Sequence, residues 1–221
     1  FTVRFVNAVL RKGLALLDSL QCDPLPNRIS DRWKKAFSSD EYDFLADLFT
    51  MQPANTVRLR SGCEISEDFA LTPLDLGLPW QFFECGKFRE LLAGEDFAQG
   101  KFYIQDPAPA HVVTLLAKYE NLLPEKVNFL DLCAAPGGKS THIGPALQGK
   151  GLLVCNEIHP QRAKILSENI ERLGVKNALV TNEHPQTLAD RMPGFFDRVL
   201  VDAPCSGEGM FRKEEAAITD W

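Results

Sequence analysis

The feature that most constrains the fold of this chain is the alternation of apolar strands with helices in its second half. Residues 127–132 and 151–157 read as strands, and a glycine-rich turn and a helix join them. A further helix over 160–173 begins with a proline, which suits the first turn of a helix. Residues 178–181 and 196–202 predict a third and a fourth strand. Strands that are apolar on both faces and alternate with helices are typical of a parallel sheet covered by helices.

The rest of the chain predicts two smaller regions. Residues 1–55 predict a helical N-terminal region, with one helix over the first twenty residues and a second that begins near residues 39–40, where Ser or Asp can cap it. Residues 56–105 predict an α+β segment of short strands and turns. Residues 106–221 then form an incomplete Rossmann-like core. The chain opens on Phe1 rather than methionine, so we expect it to be a piece of a longer polypeptide.

Composition excludes several classes of protein. With 45% hydrophobic and 24% charged residues, the chain is neither disordered nor collagen-like. It has no apolar run of about 18 residues and no signal peptide, so we expect no membrane association and a cytoplasmic location. None of the six cysteines forms a Cys-x-x-Cys pair, which predicts a reducing compartment and no metal site. The net charge of −6 argues against indiscriminate coating of nucleic acid, and we expect a monomer.

Acidic or glycine-rich features follow three of the predicted strands. Asp131 opens the run DLCAAPGGKS, Glu157 ends the second strand, and Asp202 opens the run DAPCSG. Open α/β sheets bind ligands at the carboxyl ends of their strands, so we expect these features to form one site. A carboxylate such as that of Glu157 can accept both hydroxyls of a ribose. The predicted cofactor loop comprises Cys133, Ala134, Ala135, Pro136, Gly137, Gly138 and Lys139.

A phosphate-binding NTPase loop is one alternative for this site. That loop requires Gly-x-x-x-x-Gly-Lys-Ser, and Cys133 stands where its first glycine belongs. Pro136 also removes a backbone donor from the loop that would cradle phosphate. Glu157 has no role with a triphosphate, whereas it suits the ribose of a nucleoside cofactor. We therefore favour a nucleoside cofactor.

Two segments closely resemble the Sun-type (NSUN and RsmB–RsmF-like) RNA cytosine-5 methyltransferases, whose bacterial members modify small-subunit 16S ribosomal RNA. They are CAAPGGKS at 133–140 and DAPCSGEGMFRK at 202–213. YIQDP at 103–107 is similar to the short motif that precedes the catalytic domain in that family, and 5–11 resembles the end of a NusB-like helical domain. The resemblance implies a class I methyltransferase fold, S-adenosylmethionine as cofactor and ribosomal RNA as partner.

The resemblance also implies roles for three residues. Addition of a thiolate to carbon 6 of cytosine allows carbon 5 to attack the methyl group of S-adenosylmethionine. Asp202 would hydrogen-bond the edge of the cytosine, and Lys139 would neutralise charge near the same junction. Cys205 would assist product release, while the nucleophile in this family is a Thr-Cys cysteine on a later strand. No such Thr-Cys precedes Trp221, so we expect the nucleophile in residues beyond it.

The sequence leaves some alternatives open. Cys205 could itself attack the base, as the Pro-Cys cysteine of the DNA cytosine-5 methyltransferases does. The family usually has an aspartate at position 184, where this chain has His184, so Asn182, Glu183 and His184 are all candidates to contact adenine. A non-catalytic protein that binds cofactor and RNA is an alternative of a different class. Candidate RNA contacts are the basic residues Arg28, Arg32, Lys34, Lys35, Arg58, Arg60, Lys87 and Arg89.

Overall fold

The strands and helices below come from a computed structural model that describes residues 27–50, 53–120, 126–147 and 149–205. The strands are β1 Thr56–Leu59, β2 Leu71–Leu74, β3 Phe82–Cys85, β4 Phe102–Ile104, β5 Val127–Asp131, β6 Gly151–Asn156, β7 Ala178–Thr181 and β8 Arg198–Leu200. The helices are α1 Asn27–Ala36, α2 Ser39–Thr50, α3 Phe88–Ala93, α4 Glu95–Ala98, α5 Ala108–Glu120, α6 Ser140–Ala146, α7 Pro160–Arg172 and α8 Pro185–Arg191.

The second half of the described chain forms a parallel sheet with the strand order β7-β6-β5-β8. Alternate residues of a strand point to opposite faces. Phe129 and Leu153 pack on one face with residues of α6 and α7, and Leu130 and Val154 pack on the other face with Leu188 of α8. Both faces are therefore covered by helices, and the predicted α/β parallel sheet is confirmed.

The bounds of the predicted strands are close to those observed, with one exception. The third strand occupies Ala178–Thr181 as predicted, whereas the fourth was predicted over 196–202 and spans only Arg198–Leu200. Within the described residues, β8 pairs only with β5, along Phe129–Asp131. Its ladder ends where β5 ends, which explains why the apolar run extends beyond the strand.

Strands β1 to β4, which precede the parallel sheet in the chain, form an antiparallel sheet with the order β2-β3-β1-β4. Val57, Leu91 and Phe102 are fully buried in its core. The predicted short strands and turns are present, and α3 and α4 lie among them. Arg58 of β1 donates a hydrogen bond of 2.8 Å to the Thr141 hydroxyl, which joins this sheet to α6.

Both sheets belong to one compact unit, Asn55–Ala203. The division into segments 56–105 and 106–221 stays a prediction. Helices α1 and α2 belong to the other unit. Trp33 and Phe37 make an edge-to-face contact there, with ring centroids 6.3 Å apart.

Helix α2 begins with a capping box one residue earlier than the predicted cap. The Ser38 hydroxyl accepts from the Glu41 amide at 3.4 Å, and the Glu41 carboxylate accepts from the Ser38 amide at 3.1 Å. The helix predicted for the first twenty residues and the resembling segments 5–11 and 206–213 lie outside the described residues. None of the described helices has the length and apolar character that crossing a membrane requires.

Candidate functional site

The loop that joins β5 to α6 is held in place from the antiparallel sheet. The Tyr103 hydroxyl donates to the carbonyl of Pro136 at 3.1 Å, and the Gln105 amide donates to the carbonyl of Gly138 at 3.1 Å. Both donors belong to the motif YIQDP at 103–107. The segment that precedes the Rossmann-like core therefore fixes the conformation of its glycine-rich loop.

Helix α7 holds the same loop from the other side. Asn169 donates to the carbonyl of Pro136 at 2.9 Å, and Arg162 donates to the carbonyl of Ala135 at 3.0 Å. A Cβ atom at Gly138 would lie 3.0 Å from the Gln105 amide nitrogen, so a side chain there would disturb the support from β4. Small residues in this loop thus meet a steric requirement of the fold and leave the backbone open to close approach.

Asp131 lies at the carboxyl end of β5 and is only 1% exposed. One of its oxygens, Oδ2, accepts a 2.6 Å hydrogen bond from the Ser140 hydroxyl at the start of α6. The other, Oδ1, has no hydrogen-bond partner within the described residues. Burial raises the pKa of Asp131 to about 6, against the opposing effects of the Ser140 bond and of Lys139.

Glu157 directly follows β6, and its side chain is 3% exposed. Its carboxylate accepts from the His159 amide at 3.0 Å and pairs with Arg162 at 3.4 Å. Burial, followed by the charge of Glu157, raises the pKa of the Cys133 thiol. Glu157 and the first residue of the predicted cofactor loop are therefore electrostatic neighbours.

Lys139 and Asp202 form an ion pair that joins the end of the glycine-rich loop to the segment after β8. The lysine side chain is 18% exposed and that of the aspartate 59%. Lys139 lowers the pKa of Asp131, and Asp202 raises it, so all three charges share one electrostatic environment. The acidic residues predicted to meet at the carboxyl edge of the sheet are thus brought together.

The end of β7 carries the candidate adenine contacts. The Asn182 amide donates to the carbonyls of Glu157 at 2.6 Å and Ile158 at 2.9 Å. The His184 ring accepts from the Gln186 amide at 3.3 Å and thereby caps α8. The Glu183 carboxylate pairs with Arg191 at 3.4 Å. Each side chain already has a local partner, and the choice of adenine contact stays open.

Asn156 connects the ends of three strands. Its amide nitrogen donates to the carbonyls of Leu132 at 3.2 Å and Glu183 at 3.0 Å. Its amide oxygen accepts from the Thr181 hydroxyl at 2.8 Å and from the Glu183 amide at 3.1 Å. This fully buried side chain therefore fixes the spacing between the loops that follow β5, β6 and β7.

Cys205 is a free, exposed cysteine. It belongs to the compact unit made of residues 1–54 and 204–221, whereas the other predicted site residues belong to Asn55–Ala203. Its catalytic role stays a prediction. Arg162 and Asn156 were not among the predicted site residues. Within the described residues, no group of three or more His, Cys, Asp or Glu side chains could hold a metal ion.

These features fit a nucleoside cofactor that carries a positive charge. The buried Glu157 carboxylate offers acceptor oxygens for a pair of hydroxyls. Asp131 Oδ1 is a buried acceptor without a partner in the described part of the chain. The loop 133–138 has only small side chains, so a ligand could contact its backbone closely. The residues that would hold such a cofactor are all at the carboxyl edge of the sheet.

Comparison with known proteins gives matches in sequence and in fold. Residues 119–219 match the family model described as 16S rRNA methyltransferase RsmB/F. The chain is 43% identical over 122 residues to ribosomal RNA small subunit methyltransferase F of Vibrio vulnificus, covering 55% of this chain and 25% of the relative. It is 39% identical over 158 residues to the protein of the same name from Photobacterium profundum, covering 70% of this chain and 32% of the relative.

A solved structure with a related fold is NSun6 from Pyrococcus horikoshii with SFG, which has a TM-score of 0.66 and 19% sequence identity. The match covers 83% of this chain and 72% of that one. The predicted Rossmann-like methyltransferase fold is therefore confirmed. The chain spans between a quarter and a third of the length of the two sequence relatives.

Proposed function

We propose that the chain contributes to S-adenosylmethionine-dependent methylation of small-subunit ribosomal RNA, because residues 119–219 match the family model described as 16S rRNA methyltransferase RsmB/F. The observation that carries the proposal is the arrangement of Asp131, Glu157 and Asp202 after adjacent parallel strands, beside a loop of small residues. This is the edge of an α/β sheet where nucleoside cofactors bind.

The cofactor-binding part of the proposal assigns a role to each element of this edge. Glu157 accepts the ribose hydroxyls, and the backbone of loop 133–138 contacts the remainder of the cofactor. Asp131 provides negative charge for the cationic cofactor through the oxygen that has no partner in the described residues. Asn182, Glu183 and His184 are the candidates for the adenine side of the site. S-adenosylmethionine supplies the methyl group when it is bound.

We further propose that the reaction occurs at carbon 5 of cytosine. This carbon is a poor nucleophile until a thiolate adds to carbon 6, so the reaction needs a cysteine and a group that holds the base edge. Asp202 is proposed to hydrogen-bond that edge and Lys139 to balance the charge of Asp202, with which it is paired. The base must leave its stack to reach the site.

Cofactor binding is tested by isothermal titration of S-adenosylhomocysteine into the 221-residue chain. We expect binding, and we expect Glu157→Gln to weaken it by at least about tenfold, because a charged acceptor of two hydroxyls is lost. Glu168→Gln is the matched control, since Glu168 lies on α7 with its side chain 64% exposed. Absence of binding, or equal binding by both variants, would contradict the proposed site.

The role of Asp202 is tested by transfer of a labelled methyl group to 16S ribosomal RNA by the full-length protein, with the modified base mapped by mass spectrometry. We expect transfer to cytosine carbon 5 and a loss of at least about 100-fold in the rate for Asp202→Asn, because a charged hydrogen bond to the base is weakened. Asp190→Asn is the control, because Asp190 is exposed on α8 and bonds only to Gln186 in the described structure. Methylation of another base would limit the proposal to RNA methylation.

The role of Cys205 is tested with RNA whose cytidines carry fluorine at carbon 5, since fluorine cannot leave as a proton does. We propose that Cys205 assists release and that another cysteine attacks the base. If the full-length protein forms a covalent adduct with this RNA, its Cys205→Ala variant should form the adduct as well. If the 221-residue chain forms an adduct and Cys205→Ala abolishes it, Cys205 is itself the nucleophile.

A further inference from the structure

A cavity of about 410 Å³ lies outside the proposed cofactor site. It is lined in part by residues that immediately precede strands, namely Gly149 near the start of β6 and Asn177 before β7. The amino ends of parallel strands meet at one edge, so this part of the cavity is at the edge opposite to the proposed cofactor site. Its other walls come from β1, α6 and the end of α7.

The cavity contains buried polar groups without partners in the described residues. Arg58 is 5% exposed and His142 is 1% exposed. Arg58 uses one terminal nitrogen on Thr141, but its other terminal nitrogen has no hydrogen-bond partner. Both ring nitrogens of His142 and the amide nitrogen of Asn177 are likewise without one. Leaving such groups unpaired is costly. A ligand with acceptor oxygens would supply partners to those that it can reach from the cavity.

The charge of the lining specifies the ligand. Arg58, Arg60 and Lys176 line the cavity, and none of the lining residues is acidic, although the whole chain carries a net charge of −6. The groups without partners are mainly N–H donors, which require acceptor oxygens. Burial lowers the pKa of the Arg58 guanidinium to about 9, so it stays protonated at neutral pH, and pairing with an anion would raise that pKa.

The size and remaining walls indicate more than a bare anion. A volume of about 410 Å³ has room for about a dozen waters, and ligand pockets for small organic molecules begin at about 300 Å³. Leu59, Pro145, Leu173 and Val175 provide apolar wall, and Trp80 is stacked on His142 with ring centroids 4.2 Å apart. A phosphate on a nucleoside-sized organic body satisfies both the donors and the apolar walls.

We propose that this cavity, which we call the Arg58 pocket, binds the phosphate group of a nucleotide, supplied either as a free mononucleotide or as part of an RNA strand. The pocket is separate from the proposed cofactor site, and the proposal does not depend on the methyltransferase activity. It assigns Arg58 and Arg60 to a common ligand, in place of the separate RNA contacts that the sequence suggested.

The test is a calorimetric titration of the 221-residue chain with adenosine 5′-monophosphate, inorganic phosphate and adenosine, each with the carboxyl-edge site saturated by S-adenosylhomocysteine. We expect adenosine monophosphate to bind, phosphate to bind more weakly, and adenosine not to bind. Lys176→Gln and Arg60→Gln should each weaken adenosine monophosphate binding by about tenfold, because each removes a charged donor. Lys164→Gln, with a side chain 80% exposed on α7, is the matched control.

A second variant separates ligand binding from a merely structural role. Asn177→Leu removes a buried donor that has no partner in the described residues, so we expect the thermal stability of the unliganded chain to be equal or higher. The same substitution should weaken adenosine monophosphate binding by about fivefold. Loss of stability with unchanged nucleotide binding would overturn the proposal.

The remaining outcomes are also decisive. Equal binding of adenosine and adenosine monophosphate, or full-strength binding by Lys176→Gln and Arg60→Gln, would refute the Arg58 pocket. Competition by a 5′-phosphorylated RNA tetranucleotide, weakened by Lys176→Gln, would identify an RNA strand as the source, and no competition would identify the free nucleotide. Failure of S-adenosylhomocysteine to bind would count against the proposed function alone, because the phosphate variants are compared independently of it.

Discussion

Asp131 illustrates how one buried carboxyl group links the stability of this protein to pH. Its pKa is raised from 3.8 to about 6 by burial, so the folded chain holds a proton that the unfolded chain has already released between these values. The stability that Asp131 contributes therefore falls as the pH rises through that range, and it is lost above about pH 6. The shift corresponds to about 3 kcal/mol at most.

We predict that Asp131→Asn removes this dependence. Asparagine resembles the protonated carboxyl group and keeps an oxygen that can accept the Ser140 hydrogen bond. The free energy of unfolding, measured with urea at pH 4 and pH 7, should fall for the parent chain by up to about 3 kcal/mol more than for the variant. Parallel pH profiles of the two proteins would show that the buried environment of Asp131 is not as described.

At the scale of elements, the turn before β4 packs directly against the end of α7. Gly100 has a φ of +63°, and a Cβ atom built there would lie 1.8 Å from the carbonyl oxygen of Arg172. Gly62 has a similar φ of +76°, but no atom lies within 4 Å of a Cβ built at its position. An alanine at Gly62 would therefore be subject to backbone strain alone, whereas an alanine at Gly100 would be subject to the same strain and to a clash with α7.

We predict that Gly62→Ala lowers the free energy of unfolding by about 1–2 kcal/mol, because alanine is strained in the left-handed backbone conformation. Gly100→Ala should lower the free energy of unfolding by more than about 3 kcal/mol, because the new Cβ atom also clashes with the Arg172 carbonyl. Urea unfolding of both variants measures the difference. If the two losses were equal, the close approach of the turn to α7 would be wrong.

The elements of the parallel sheet were predictable because their signals are local. The strand at 178–181 and the start of α7 at Pro160 follow from apolar runs and from proline and glycine placement. The contacts of the site were not predictable in the same way. Tyr103 and Gln105 reach carbonyls 33 residues away, and no periodic pattern encodes such a contact. Only the resemblance of the motif at 103–107 drew attention to that segment.

Other features depended on tertiary burial. Arg58 was a candidate RNA contact because of the expected substrate, and its burial on β1 with a bond to Thr141 of α6 could not be foreseen. The pairing of Lys139 with Asp202 brings together residues 63 positions apart, which only the strand order explains. Charge alone does not reveal which side of a sheet a residue occupies.

At the scale of the whole unit Asn55–Ala203, the two sheets share the glycine-rich loop. We predict that binding of S-adenosylhomocysteine slows amide hydrogen exchange in residues 102–104 as well as in loop 133–138. The physical reason is that Tyr103 and Gln105 hold the carbonyls of that loop, so ordering the loop restrains β4.

Tyr103→Phe tests the route of this coupling. The variant lacks the hydroxyl that bonds to Pro136, so protection of residues 102–104 on ligand binding should decrease while protection of loop 133–138 is largely kept. Hydrogen exchange followed by mass spectrometry resolves the two segments. Protection confined to the parallel sheet in the parent chain would mean that the sheets respond independently.

Asn156 has a consequence for anyone who wishes to redesign this protein for bulkier methyl-donor analogues. All four of its amide bonding positions are in use, and they join the end of β6 to the segment after β5 and to the end of β7 with the segment after it. Moving either of these segments away from β6 would break its bonds to Asn156. Substitution of loop side chains by smaller ones would enlarge the proposed cofactor site and keep these bonds. Displacement of whole loops would break them, and another residue would have to replace Asn156.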